Sequence, residues 1–281
     1  MSGILLMTDS TCDLPVEMVR RFDIRIVPTY VQFGQESLAD DGVQLTRTDF
    51  YRRIVNAPIH PTTSAPPLGQ TYTIMQQALN DADHVIALTA PAKLSGIYNI
   101  FRLVAEQTDP KRVTLLDSGM LSMGMGWLVI IAAEMAESGA TPAEIVAAIT
   151  ALQPRADVWA ALDTMLYLRR SGRVGWAASV VGNFLNIKPV IRQHDSVVTS
   201  ITRVRTSQRM FNALVDLAHQ NAPLDRLAVM HTANIENAQR LLAALADIHP
   251  NHEPVIVEVT PVIGVHVGPQ GLGLGVIRAA S

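Results

Sequence analysis

Apolar positions along this chain fall into short continuous runs separated by longer stretches of helical spacing, the pattern of an α/β protein. Residues 4–8 read as a first buried strand and 14–22 as the helix that follows it. Residues 24–33 are expected to be extended and 46–55 helical. The stretch 58–67 contains four prolines, which forbid a helix through it and present Thr62, Thr63 and Ser64 on a stiff loop. Helices are predicted over 68–79, 94–106, 122–138 and 141–152, the last with Thr141 as N-cap and Pro142 in its first turn. Strands at His84–Thr89 and 112–116 flank the second of these helices.

Around Gln153-Pro154 the first half ends, dividing the chain into segments 1–153 and 154–281. The second half restarts with a strand at 157–162. Asp163 can then N-cap a short helix that carries Met165, Leu166 and Leu168 and ends in Arg169 and Arg170. Gly172 stands where a helix C-cap wants positive φ. A second helix, 175–187, is apolar nearly all round, and a globular protein buries such a helix. Arg173 lies between the two. This stretch reads either as a core helix with a surface arginine at its mouth or as an apolar cavity with an anion-recognising rim. Hairpin strands at 189–192 and 196–201, a helix at 206–219, a strand at 227–231, a helix at 236–246 and a strand at 255–260 follow. A glycine-rich tail closes the chain.

Composition narrows the function classes. Hydrophobic residues make up 48% of the 281 and charged ones 17%, enough apolar material for a sizeable core. The net charge is −3 with no basic run, which argues against nucleic acid. The single cysteine, Cys12, rules out an internal disulfide framework, and eight scattered histidines without metal-ligand spacing argue against a metal site. The opening apolar run is too short for a signal peptide, and 119–133 falls short of the roughly 20 residues a membrane span needs. A soluble, cytoplasmic protein is expected.

Enzyme templates mostly fail. There is no phosphate loop, no dinucleotide fingerprint and no H-E-x-x-H; Ser95, in Lys93-Leu94-Ser95-Gly96, lacks the G-x-S-x-G elbow. Asp9, Asp117 and Asp163 could serve as acids, yet each stands at a strand-to-helix junction, where capping is the commoner task. What survives is a set of hydroxyl residues, Thr8, Ser10, Thr63, Ser64, Ser95 and Ser118, at strand ends or helix starts. In open α/β sheets ligands bind at that edge. His266 adds an imidazole between Gly264 and Gly268.

Taken in order, these segments resemble the DegV family of bacterial fatty-acid-binding proteins. The resemblance is carried by Thr8-Asp9-Ser10-Thr11-Cys12-Asp13-Leu14-Pro15, Thr63-Ser64 and Lys93-Leu94-Ser95-Gly96-Ile97-Tyr98. It continues through Leu116-Asp117-Ser118, Ser122-Met123-Gly124-Met125-Gly126, Gly172-Arg173-Val174 and Leu185-Asn186-Ile187-Lys188-Pro189. Val204-Arg205-Thr206 and Pro261-Val262-Ile263-Gly264-Val265-His266-Val267-Gly268-Pro269 close it. It implies two α/β domains: an N-terminal Rossmann-like parallel sheet within 1–153, and a C-terminal mixed α/β sheet within 154–281 that forms much of an acyl tunnel. It also implies one bound long-chain fatty acid, its carboxylate held by Thr63, Ser64, Ser95 and His266, with Arg173 and Arg205 near the head group or facing a partner fatty-acid kinase. No cofactor, metal, catalytic turnover or stable membrane insertion is expected, and the state expected is a monomer. This chain departs from the family pattern at Pro91-Ala92, Ile97, Val265 and Val267, where hydroxyl residues are usual.

Physical chemistry is consistent with such a ligand. Burying about fifteen methylenes contributes on the order of 12 kcal/mol before ordering costs, whereas an unpaired buried carboxylate is costly and needs several donors. Two other functions compete: a small hydrolase or acyltransferase using Ser95 or Ser10 as nucleophile, and a domain that binds a phosphorylated metabolite.

Overall fold

The computed structural model describes residues 3–177 and 187–280. The chain opens with β1 (Ile4–Asp9), α1 (Val16–Arg21), β2 (Arg25–Val27), β3 (Tyr30–Phe33) and β4 (Glu36–Ala39). It continues through α2 (Arg47–Asn56), β5 (Thr62–Ser64), α3 (Leu68–Asp81), β6 (His84–Thr89) and α4 (Ile97–Gln107). Next come β7 (Val113–Asp117), α5 (Ser122–Glu137), α6 (Pro142–Leu152), β8 (Ala156–Ala161) and α7 (Leu166–Arg170). The remaining elements are β9 (Lys188–His194), β10 (Val197–Val204), α8 (Ser207–Gln220), β11 (Leu224–His231), α9 (Ile235–Ala244), β12 (Val255–Glu258), α10 (Pro261–Val267) and β13 (Leu272–Arg278).

Three sheets organise these elements. The parallel sheet runs β2-β1-β6-β7, and its central strands are apolar on both faces because helices cover both. A mixed sheet runs β10-β9-β8-β13-β11-β12, antiparallel throughout except for β11 with β12. A small antiparallel sheet, β4-β3-β5, stands beside the first. The α/β reading with one parallel and one mixed sheet therefore holds. The strands of the parallel sheet precede Gln153 and those of the mixed sheet follow it.

Helix α5 lies between these two sheets. It is apolar around nearly its whole circumference and almost wholly buried, as its two-sided packing requires. One core joins Leu6, Ile86 and Leu88 of the parallel sheet, through Met123, Trp127 and Leu128 of α5, to Val158, Met230 and Ile277 of the mixed sheet. The contact is drawn tight at Gly275, where a Cβ would stand 2.7 Å from Met123 Cβ. Trp127 Nε1 donates to Gly275 O at 3.0 Å, and Arg226 Nη2 donates to Glu134 Oε2 at 2.6 Å.

Several expectations are corrected. The proline stretch is not a free loop where it carries Thr62, Thr63 and Ser64; those residues form β5 and pair with Gln32, Val31 and Tyr30. Prolines flank β5 but none lies within it, so its ladder bonds survive. The glycine-rich tail is α10 and β13, the latter in the interior of the mixed sheet. The helix expected from Leu94 begins at Ile97, because Leu94 and Ser95 both donate their N–H to Pro91 O in a tight turn. Asp163 does not cap α7; its carboxylate pairs with Lys188, and Thr164 Oγ1 accepts from Leu166 N instead. Of the predicted apolar helix 175–187, residues 178–186 lie outside the described residues, and Val174–Ala177 form a single 3-10 turn.

The expected cap at Thr141 is in place, in a reciprocal capping box with Glu144, and Thr206, expected inside its helix, instead caps α8. Thr206 Oγ1 accepts from Arg209 N at 3.2 Å, and removing one such acceptor costs a helix about 1 kcal/mol. Thr206→Ala is accordingly expected to lower the unfolding free energy by that amount, read as a lower urea midpoint with an unchanged slope of the unfolding curve.

Candidate ligand-binding site

The C-terminal ends of β1 and β6 open toward β5 and α10, and the gap between them is a cleft of about 460 Å³. Thr11, Thr29, Thr63, Ser64, Ser95, Arg173 and His266 all contribute to its walls. The structure thus gathers on one cleft the five residues singled out in the sequence, Thr63, Ser64, Ser95, Arg173 and His266, separated by up to 203 positions.

Each side chain has a local cause for its place. Thr63 is fixed by the pairing of β5 with β3, and its Oγ1 lies 3.4 Å from His266 Nε2. Ser64, on the opposite face of that strand, is exposed and accepts from Gln32 Nε2 at 3.2 Å. Ser95 sits in the turn before α4, where its Oγ accepts from Ile97 N at 3.3 Å. Arg173 follows a Schellman cap: Gly172, at φ +72°, donates to Arg169 O at 3.2 Å, and Arg173 N donates to Leu168 O at 2.8 Å. Gly172 is therefore the left-handed residue that the sequence requires, and it delivers Arg173 to the rim.

His266 is 6% exposed on α10. Burial, reinforced by Arg173 and His60, pushes its pKa down to about 3, so the imidazole is neutral at physiological pH. A neutral imidazole offers one donor to a ligand without adding a fixed charge.

A second, narrow and apolar slot of about 70 Å³ adjoins the cleft. Leu162, Ile191, Val198, Met230, Val259 and Leu272 form much of its wall, and Leu121 and Ile263 belong to both spaces. Hydroxyls and an imidazole thus give way to aliphatic side chains across two shared residues.

Arg205, expected near the head group or facing a partner, is exposed beyond the end of β10 and does not line the cleft. The candidate acids are structural. Asp9 accepts from Thr11 N at 2.9 Å and Ala90 N at 2.8 Å, and Asp117 from Gly119 N at 2.9 Å and Ala92 N at 3.0 Å. Thr11, Thr29 and Lys93 line the cleft but were not singled out for it, since nothing in their spacing marks them. Among the described residues no general base stands within hydrogen-bond reach of Ser95, and no group of three or more His, Cys, Asp and Glu could hold a metal ion. No helix among them is long and apolar enough to cross a membrane.

The family model for DegV, described as "Uncharacterised protein, DegV family", matches residues 3–279. The chain belongs to the DegV family. A DegV domain-containing protein of Deinococcus radiodurans is 32% identical over 285 residues, covering 97% of each chain. Among solved structures, a DegV family protein from Thermus thermophilus, described for its fatty acid binding, superposes with a TM-score of 0.90 at 29% identity. That match covers 98% of this chain and 99% of the other. A stearic acid-binding protein from Eubacterium ventriosum gives 0.86 at 26% identity, covering 99% and 98%.

Ala92, Ile97, Val265 and Val267, four of the residues expected to depart from the family pattern, fall in different places. Ala92 and Ile97 line the cleft and offer no side-chain hydroxyl to it. Val265 packs in the core with Phe50 and Tyr51, and Val267 lines the apolar slot, so neither removes a donor from the cleft.

Proposed function

We propose that this DegV protein binds one long-chain fatty acid as a carrier, with the carboxylate in the cleft and the tail running into the apolar slot. The observation that carries this is the junction at Leu121 and Ile263, where a donor-lined space meets an aliphatic one. Thr63, Ser95 and His266 are the proposed carboxylate donors, with Ser64 at the outer edge and Arg173 above the rim. The fatty-acid-binding descriptions of the Thermus and Eubacterium proteins support the same ligand class. A slot of about 70 Å³ admits only the start of a tail, so its walls must part around a long chain. No general base stands beside Ser95 among the described residues, and binding without catalysis is the function proposed. Presentation of the head group to a phosphorylating partner is part of the proposal, supported by the open cleft and Arg173 at its edge; Arg205, outside the cleft, would belong to that partner's face.

Native mass spectrometry of the purified protein, with lipid extraction, tests the reading. A fatty acid is expected to co-purify. Delipidation is expected to lower the melting temperature by roughly 5 °C, since a ligand at a hundredfold excess over Kd stabilises the fold by about 2.7 kcal/mol. Recovery of no lipid, together with melting curves unmoved by added oleate, would sink it.

A further inference from the structure

Behind the cleft wall lies a buried acid that ligand binding, as described so far, leaves unused. Asp40, directly after β4, is 5% exposed. Its Oδ2 accepts from Val262 N, in the first turn of α10, at 3.1 Å and from Ser10 Oγ at 3.4 Å. Ser10 Oγ lies 2.6 Å from Thr29 Oγ1, and both Thr29 and Val262 line the cleft. A short hydrogen-bonded path, Thr29 to Ser10 to Asp40, therefore links the cleft surface to this carboxyl, and α10 links the same carboxyl to His266. Asp40 Oδ1 accepts no hydrogen bond among the described residues, so a proton can settle there while Oδ2 keeps both of its donors.

We infer that Asp40 takes up a proton when an anionic head group enters the cleft, so that ligand binding and proton binding are coupled through the cleft wall. The inference rests on the fatty-acid reading above. The groups facing this carboxyl come from several elements. Asp13, which accepts from Thr260 N at 2.7 Å and pairs with the Ser122 hydroxyl, adds a second buried acid. Arg47 and Tyr51 face it from α2. Burial above all raises Asp40 to about 7, with Asp13 adding to the rise while the Val262 N–H, Arg47 and Ser10 oppose it.

The sign follows from these charges. Raised to about 7, this carboxyl can gain or lose a proton near neutral pH. A new negative charge close by disfavours the carboxylate and raises its pKa further, so binding draws a proton from solution. Affinity for an anionic ligand then falls as pH rises through and above 7. A loss of roughly three- to tenfold between pH 6 and pH 8.5 is expected from one charge acting at several ångströms in a partly buried site. His266 titrates far lower, at about 3, and contributes little proton uptake in this window.

The test is calorimetric titration of delipidated protein with oleate, below its aggregation concentration, at pH 7 in buffers of different ionisation enthalpy. Wild-type protein is expected to take up a substantial fraction of a proton per oleate, and methyl oleate none. Asp40→Asn keeps an oxygen acceptor for Val262 N and Ser10 and should abolish the uptake; His266→Gln should weaken binding yet retain it. Should Asp40→Asn fold poorly, difference infrared spectra of wild-type protein should still show a protonated-carboxyl band growing on oleate binding. Buffer-independent heats in the wild type, uptake that persists in Asp40→Asn, or uptake lost in His266→Gln alone would overturn the coupling. Oleate that fails to bind at any pH would instead overturn the fatty-acid reading itself, and the coupling with it.

Discussion

Ser95→Ala and Thr63→Ala are each expected to weaken oleate binding by roughly ten- to a hundredfold while changing methyl oleate binding only a few-fold. A hydrogen bond to a charged partner contributes about 1.5–3 kcal/mol, and the ester removes the charge while leaving the tail intact. Both side chains stand on the cleft wall, Thr63 beside the neutral imidazole of His266 and Ser95 in the turn ahead of α4. Ala92 and Ile97 beside them carry no side-chain donor and cannot substitute for one that is lost. Fluorescence competition with acid and ester in parallel separates the effects. Equal losses for the two ligands would mean that these hydroxyls shape the cleft and do not contact the carboxylate.

Gly275→Ala is expected to destabilise the protein by about 3 kcal/mol or more, or to prevent folding. An added Cβ would stand 2.7 Å from Met123 Cβ, 3.1 Å from its carbonyl carbon and 3.3 Å from Gly124 N, all on the rigid surface of α5. No side-chain rotation relieves contacts of that kind, so strand and helix must separate, and overpacking a core by one carbon already costs about 1–3 kcal/mol. The hydrogen bond from Trp127 to Gly275 O would be strained by the same displacement. Equilibrium urea unfolding measures the loss; a variant within 1 kcal/mol of wild type would show that α5 is held less tightly than its contacts indicate.

How much of this was legible in the sequence depended on where the information lay. β1, β6 and β11 were readable because strands covered on both faces are continuous apolar runs. β5 and β13 were not. Thr62–Ser64 becomes a strand only because Tyr30–Phe33 lies alongside it, and prolines at both flanks mask the tendency. Glycines in β13 look like a loop signal, yet at Gly275 the missing side chain makes room for α5. Asp163 met the local rule for a cap, but Lys188, 25 residues on, took its carboxylate. In the site, Thr63, Ser95 and His266 drew notice as members of motifs. Thr29 and Asp40 carry no local pattern and become visible only once β4, α10 and the segment after β1 are brought together. Arg205 drew notice in the same way, as a residue near the head group or facing a partner, and it lies exposed outside the cleft.

The shared core around α5 bears on the kinetics of the protein. Clamshell carriers release cargo by swinging two lobes apart on a hinge of few contacts. Here such a swing would pull Met123, Trp127 and Leu128 away from one sheet or the other and expose a continuous apolar interior to water. Such a swing is therefore costly. Cargo must therefore enter and leave by local loosening of the rim and slot wall while the two sheets stay joined, and the residence time of a bound molecule is set by that small opening and is largely insulated from the global stability of the fold.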